Sequence, residues 1–354
     1  MTHPERGLIP SSPSIPTTLL IGIFLILLTA ALRFGAGLLL PIALAGLFTL
    51  LLDPPVRALQ RLGLPTAIGA ALVVFGTMAV LVTGAVRLSG PAATWVESAP
   101  KTLGKVQTKI RRMIRPLQET AQKVDAATET APPAGIRTVQ IKTPGVLQRI
   151  TGSTISIAGK TMTVVFLTYF LLAMLPAFRK KLAGLIGSQT GVRDMEAVLT
   201  EIEVQMSRYL LLTTLTSVGV GLATWGFLAV VGLPNPLLWG VAACFLNFIP
   251  YAGSLVTAVL VGIAALAAFD TTGMVVLAVG GCVVINLLEG NFVTPHLMGR
   301  HLPLNPVAIF VSLLYWGWVW GATGALLAVP ITVMLQVIFA RIEKLRPVAV
   351  LMDS

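Results

Sequence analysis

Apolar runs long enough to cross a bilayer recur along this chain, and they leave few folds open to it. The candidates are residues 17–32, 36–52, 67–88, 155–175, 209–232, 237–268, 274–294 and 305–340. About 20 apolar residues span the hydrocarbon core as a helix. Inside that core every backbone N–H and C=O needs an internal partner, which helices and closed barrels supply. The expected fold is an all-α polytopic membrane protein with about eight transmembrane segments. Charged residues make up 11% of the chain, against about 25% in soluble domains. A soluble Rossmann or barrel enzyme is excluded.

The formal net charge is +11, yet its distribution argues against a nucleic-acid partner. Lys and Arg fall between spans or beside their ends, as topology determinants do. Arg57 and Arg61, Arg179-Lys180-Lys181, and Arg341, Lys344 and Arg346 are the three clusters. Placing all three inside predicts eight crossings, with both termini cytoplasmic. The chain shows no Gly-rich phosphate loop, no zinc spacing and no nucleophile–base motif. No cofactor and no enzymatic activity are expected. Cys244 and Cys282 sit in apolar runs and read as small buried hydrophobes.

The expected organisation has five parts. Residues 1–18 are a Pro/Ser-rich disordered tail, followed by three spans over 19–88. The first is read as a retained span rather than a cleaved signal, because its n-region holds only Arg6 against Glu5. Residues 89–154 form an extramembrane helical insertion. There Leu103, Val106, Ile110, Met113, Leu117 and Val124 recur at helical spacing, and Pro116 predicts a kink. Such a stripe suits packing on a neighbouring subunit, an anionic headgroup layer or the chain itself. Residues 155–340 form the transport core, and 341–354 a C-terminal tail.

Two runs are too long for one simple crossing. Leu237 to Ala268 would measure about 48 Å as a helix, against about 30 Å of hydrocarbon. Asn247-Phe-Ile-Pro-Tyr-Ala-Gly253 interrupts it, with Pro250 near its middle. Pro306 to Ala340 has the same excess and carries Gly317, Gly321, Gly324 and Pro330. Both open alike, on Leu233-Pro-Asn-Pro236 and Leu302-Pro-Leu-Asn-Pro306. They predict a weak internal repeat of broken or hairpin-like elements, the best sequence pointer to a transport site. Two long helices with proline kinks are the plainer alternative.

One carboxylate stands out. Glu289 lies between Asn286 and Asn291, after the apolar run that begins at Gly273. Ionisable groups at membrane depth are costly and commonly mark ion or substrate paths. Glu289, Asn286 and Asn291 are therefore the candidate transport and ion-coupling residues. Asn247, Pro250, Tyr251, Gly253, Gly321 and Gly324 are the candidate pathway or hinge residues. The structural alternative is a hydrated carboxylate at the membrane edge, with asparagines that bond neighbouring helices.

The residues also carry a resemblance. Gly232-Leu-Pro-Asn-Pro-Leu-Leu-Trp-Gly240, Asn247-Phe-Ile-Pro-Tyr-Ala-Gly-Ser254 and Asn286-Leu-Leu-Glu-Gly-Asn-Phe-Val-Thr-Pro-His-Leu-Met-Gly-Arg300 resemble the autoinducer-2 exporter family of bacterial membrane permeases. So do Leu304-Asn-Pro-Val-Ala-Ile-Phe310, Gly324-Ala-Leu-Leu-Ala-Val-Pro330 and Thr168-Tyr-Phe-Leu-Leu-Ala-Met-Leu-Pro176 with Arg179. The match is specific over about 160–340. Residues 1–155 match only in the order of spans and loop. Where many members carry a Gly-Gln pair, this chain has Leu211-Leu212. The resemblance implies a secondary transporter, expected as a homo-oligomer in the lipid bilayer. It would carry a small solute such as a furanosyl signalling molecule, or exchange sodium for protons. The alternatives from other classes are a passive channel or pore-forming oligomer, and a membrane scaffold recruiting partners through 89–154.

Overall fold

The computed structural model describes residues 17–125, 159–174, 189–298, 304–343 and 345–352. Expectations for the N-terminal tail, for the latter part of the 89–154 insertion and for the Arg179-Lys180-Lys181 cluster lie outside those residues. Every described element is helical: α1 (Thr17–Phe34), α2 (Ala36–Arg61), α3 (Thr66–Asp125), α4 (Gly159–Met174), α5 (Gln189–Val231), α6 (Pro236–Leu246), α7 (Ala252–Ala268), α8 (Thr272–Leu288), α9 (Thr294–Met298), α10 (Pro306–Arg341) and α11 (Arg346–Met352). A π-helical turn, Glu289–Val293, joins α8 to α9. Large apolar side chains face outward along the bundle, among them Phe24, Val80, Leu222 and Val230. In water such a surface would be untenable; in lipid it is the expected exterior.

The two ends of the bundle are defined by contacts. At one end Arg57 of α2 pairs with Asp53 at 2.6 Å and reaches Glu203 of α5 at 3.3 Å. Arg341, at the end of α10, pairs with Glu201. Met206, Leu304, Val329 and Val333 form a core there, with Tyr209 and Met352 packed against it. At the other end Leu228 and Leu233 pack with Trp239, Val261, Ala265 and Val275. Trp95 of α3 stacks edge-on against Trp239, 5.2 Å between ring centres.

Both overlong runs fold back on themselves. In the first, α6 and α7 are separated by the turn at Asn247–Tyr251. Trp239 near the start of α6 shares one core with Val261, Ala264 and Ala265 near the end of α7. The run therefore leaves and returns to the same end of the bundle. In the second, Gly321 has φ 66° and ψ −148°, which no helix contains. Ser312 donates to the Ala328 carbonyl at 3.1 Å and accepts from Thr332 at 2.5 Å. In a straight helix residues 312 and 328 would stand about 24 Å apart. Residues 306–320 and 322–341 are thus two antiparallel arms, based at the Glu201 end.

About eight transmembrane segments are expected from run lengths, two of them broken or hairpin-like. Among the described residues both of those runs are re-entrant hairpins, each returning to its own end of the bundle. The turn at 269–271 moves to the same end as 232–235, and Leu304 to the end that holds Met206. The hairpins enter from opposite ends, an inverted arrangement.

Helix α3 is a single element of 60 residues, about 90 Å long. The expected boundary near residue 88 falls inside it, and Pro116 does not end it. As far as Asp125, the segment expected outside the membrane continues the third span.

Candidate functional site

Glycine and proline build the first hairpin. Pro236 sits at the first turn of α6, where its missing N–H is not needed. Gly221 and Gly240 let α5 and α6 approach backbone to backbone: a Cβ on Gly240 would lie 2.5 Å from the Trp225 Cβ. At the turn, a Cβ on Gly253 would overlap the Leu246 carbonyl. Tyr251 takes φ 60°, ψ −49°, a left-handed conformation costly for a non-glycine residue. The turn at Asn247–Tyr251 is thereby placed within the bundle, against α5 and the end of α8.

A cavity of about 310 Å³ opens where these elements meet. Tyr209, Thr213 and Thr216 come from α5. Asn247, Phe248, Ile249, Pro250, Tyr251 and Ser254 come from the hairpin turn. Asn286, Glu289, Gly290 and Thr294 come from the end of α8 and its π turn, and Ile309 and Val329 from α10. Among the described residues no Lys, Arg or His lines it, and Glu289 is the one carboxylate that does.

The π turn sets the position of Glu289. In this register residue i bonds i+5, and Thr294 N–H donates to the Glu289 carbonyl. The Thr294 hydroxyl also donates to Glu289 Oε1 at 2.6 Å. Among the described residues the other carboxylate oxygen makes no hydrogen bond or ion pair. π turns recur at functional sites because the extra residue re-aims a side chain. Asn286 donates to the Cys282 carbonyl at 2.8 Å, leaving its amide oxygen open. Asn247 donates to Ser217 on α5 at 3.2 Å. The Thr213 hydroxyl is buried, faces Tyr209 and closes no hydrogen bond.

The candidate residues divide accordingly. Glu289, Asn286, Asn247, Pro250 and Tyr251 line one cavity. Asn291 is exposed, one turn beyond Leu287, and donates to its carbonyl at 2.9 Å. Gly253 lies at the neck of the turn. Gly321 and Gly324 belong to the other hairpin, away from the cavity. Leu211, at the position where the motif departs, faces a groove between α2 and α5 instead. Sequence reasoning missed Tyr209, Thr213, Thr216, Ser254 and Thr294. The hydroxyls at 213, 216, 217 and 224, at helical spacing within an apolar run, were the available signal.

A larger cavity of about 510 Å³ lies between α2, α4, α5 and α10. Its lining is almost wholly apolar, with Trp316, Trp320, Leu327 and Met334 among it. It lacks the donors and acceptors that orient a polar solute.

A multi-pass helical bundle with two opposed re-entrant hairpins and a polar cavity at one hairpin tip defines a membrane transport protein. The chain belongs to the AI-2E family of transporters, whose family model matches residues 22–344. It is 27% identical over 336 residues to the AI-2 transport protein TqsA of Escherichia coli K12, covering 93% of each chain. It is also 27% identical over 313 residues to the putative transport protein YhhT of the same organism, covering 87% of this chain and 86% of that one. A third relative, the putative transport protein YrrI of Bacillus subtilis, is 31% identical over 189 residues, about half of each chain.

Proposed function

We propose that this protein is a secondary transporter of a small uncharged or cationic solute, and that Glu289 couples the movement to an ion gradient. The supporting observation is the lining of the 310 Å³ cavity. Among the described residues it has one carboxylate, three threonine hydroxyls, a serine, two tyrosines and two asparagine amides, and no cationic side chain. An anion entering it would meet Glu289 without a compensating charge. A polyol, a furanose or a hydrated cation would find hydroxyls and amides in its place. The relative TqsA is named for AI-2 transport, which keeps a furanosyl signal among the candidates; sodium or proton exchange is the other.

Transport at this site requires movement of the α6–α7 turn. It forms one wall of the cavity and carries the strained Tyr251. The two hairpins entering from opposite ends are the kind of paired, interrupted elements around which alternating access works, which favours that reading over a passive channel. With the Arg57 and Arg341 end placed in the cytoplasm of an inner membrane, the α10 hairpin enters from inside and α6–α7 from outside.

The test is purified protein in liposomes, with sodium, pH and furanosyl-signal flux followed in parallel for wild type and Glu289→Gln. Saturable, gradient-driven flux in wild type and its loss in a well-folded Glu289→Gln protein is the expected outcome. Unchanged flux and ion dependence in the variant would remove Glu289 from the mechanism.

A further inference from the structure

The Glu201 end of the bundle holds a second built site, unrelated to the transport cavity. A groove of about 380 Å³ lies between α2 and α5. Asp53, Pro54, Arg57, Ala58 and Arg61 line one wall; Glu203, Val204, Ser207, Arg208 and Leu211 line the other. The two helices run antiparallel here, since Ser207 donates to the Leu50 carbonyl at 2.7 Å while Arg57 meets Glu203. In this register Arg61 stands outermost, Pro54 and Asp53 lie about two turns further in, and Arg208, one residue past Ser207, lies level with Leu50. Leu211 lies deepest, towards the apolar part of the bundle.

Among the described residues the charges lining the groove do not balance. Asp53 and Glu203 are both taken by Arg57. Arg61 and Arg208 have no carboxylate partner among the described residues. Two unpaired guanidiniums line one groove whose inner end is apolar and which opens beside lipid-facing side chains. Guanidinium groups match phosphate oxygens in pairs, and basic pockets between transmembrane helices hold anionic headgroups. A free anion would use the arginines alone. A lipid uses both parts of the groove, phosphate between the two arginines and acyl chain inward along Leu211.

We propose that Arg61 and Arg208 bind the phosphate of one anionic phospholipid, with its acyl chain lying in the α2–α5 groove. Arg57 serves as a fixed strut that keeps Asp53 and Glu203 from neutralising the site. The lipid would bridge α2 to α5, the helix whose next turns carry Tyr209 and Thr213.

The experiment is a thermal-shift series on the full chain in neutral detergent. Phosphatidylglycerol, phosphatidylcholine and inorganic phosphate are added separately to wild type, to the double variant Arg61→Gln/Arg208→Gln and to Arg33→Gln. Arg33 is a control because it stacks over Trp318, 4.6 Å from the ring centre, away from the groove. Native mass spectrometry counts retained phosphatidylglycerol in parallel. Phosphatidylglycerol should raise the melting temperature of wild type and Arg33→Gln. The double variant should lose that shift and retain several-fold less of the lipid, with an unchanged baseline melting temperature. A baseline lowered by misfolding is separated by the lipid count on its surviving folded fraction. Equal phosphatidylglycerol retention by wild type and the double variant overturns the proposal. So does an Arg61- and Arg208-dependent shift with inorganic phosphate that matches the lipid's, since the site would then take free phosphate. An equal response to phosphatidylcholine overturns it too, because anionic charge would not matter.

Discussion

The two re-entrant hairpins begin on similar sequences and end in different physics. The turn of α6–α7 spans five residues, Asn247–Tyr251, and carries an amide, a proline and a tyrosine. Its α6 arm leans on α5 through glycine contacts, and its tip faces a polar cavity. The turn of α10 is a single glycine, Gly321, flanked by Trp316, Trp318 and Trp320. Its arms grip each other through Ser312, Thr332 and the Ala328 carbonyl. The Trp320 indole N–H donates to the Leu32 carbonyl of α1 at 2.9 Å, tying the tip to a neighbouring span. One hairpin has a strained residue and a tip that lines a polar cavity; the other has its arms bonded to each other and its tip pinned to α1. On the proposed function, only the first presents its turn to a solute.

The comparison can be broken at the necks first. Gly253→Ala and Gly324→Ala each force a Cβ into a carbonyl, of Leu246 and Trp316 respectively. Backbone cannot yield as a side chain does, so both should cost 3 kcal/mol or more, roughly the upper range for overpacking. Size-exclusion profiles of detergent extracts should show loss of the folded peak for both. Survival of either variant would show that its hairpin is looser than drawn here.

Chemistry should then separate the two. Glu289→Gln is expected to lower coupled flux by about tenfold or more, the scale of one hydrogen bond to a charged group, with the melting temperature nearly unchanged. Ser312→Ala in the second hairpin should do the reverse. It should lose about 1 kcal/mol of stability with flux retained, as measured by thermal unfolding beside liposome uptake. Asn247→Ala should fall between them, reducing flux several-fold while removing one bond to Ser217, worth about 1 kcal/mol. A stability loss without a flux loss would make Asn247 a strut.

The smallest effects have opposite signs. Tyr251→Gly relieves a positive φ and should hold or raise the melting temperature, by about 1 kcal/mol in stability, while slowing flux. Gly321→Ala places a Cβ where φ is 66° and ψ −148° and should lower stability by about 1–3 kcal/mol. Equal signs in a paired melting experiment would erase the contrast between a strained and a relaxed turn.

Much of the architecture was legible in the residues. Run length and low charge determined a polytopic helical membrane protein, because lipid leaves a backbone little else to do. Excess length with Pro250 and Gly321 pointed to interrupted segments, since proline removes a helical bond and glycine alone tolerates that φ. Whether the two long runs pass through with a kink or return as hairpins was not recoverable, because run length is the same for both. Contacts decided it: Trp239 beside Ala265, and Ser312 beside Ala328. Glu289 and Asn286 could be singled out as polar groups in apolar surroundings. That Asn291 turns away while Thr294 turns in depended on the π turn, whose extra residue shifts every side chain after it. Tyr209, Thr213 and Thr216 stand some seventy residues upstream of Glu289 and join it only because α5 and α8 pack antiparallel. Composition and local pattern act through each residue's own cost in lipid, and so the sequence by itself determined the class of fold and its polar suspects. A cavity is a property of surfaces distant in the chain, and only the tertiary structure decided which of those suspects share one.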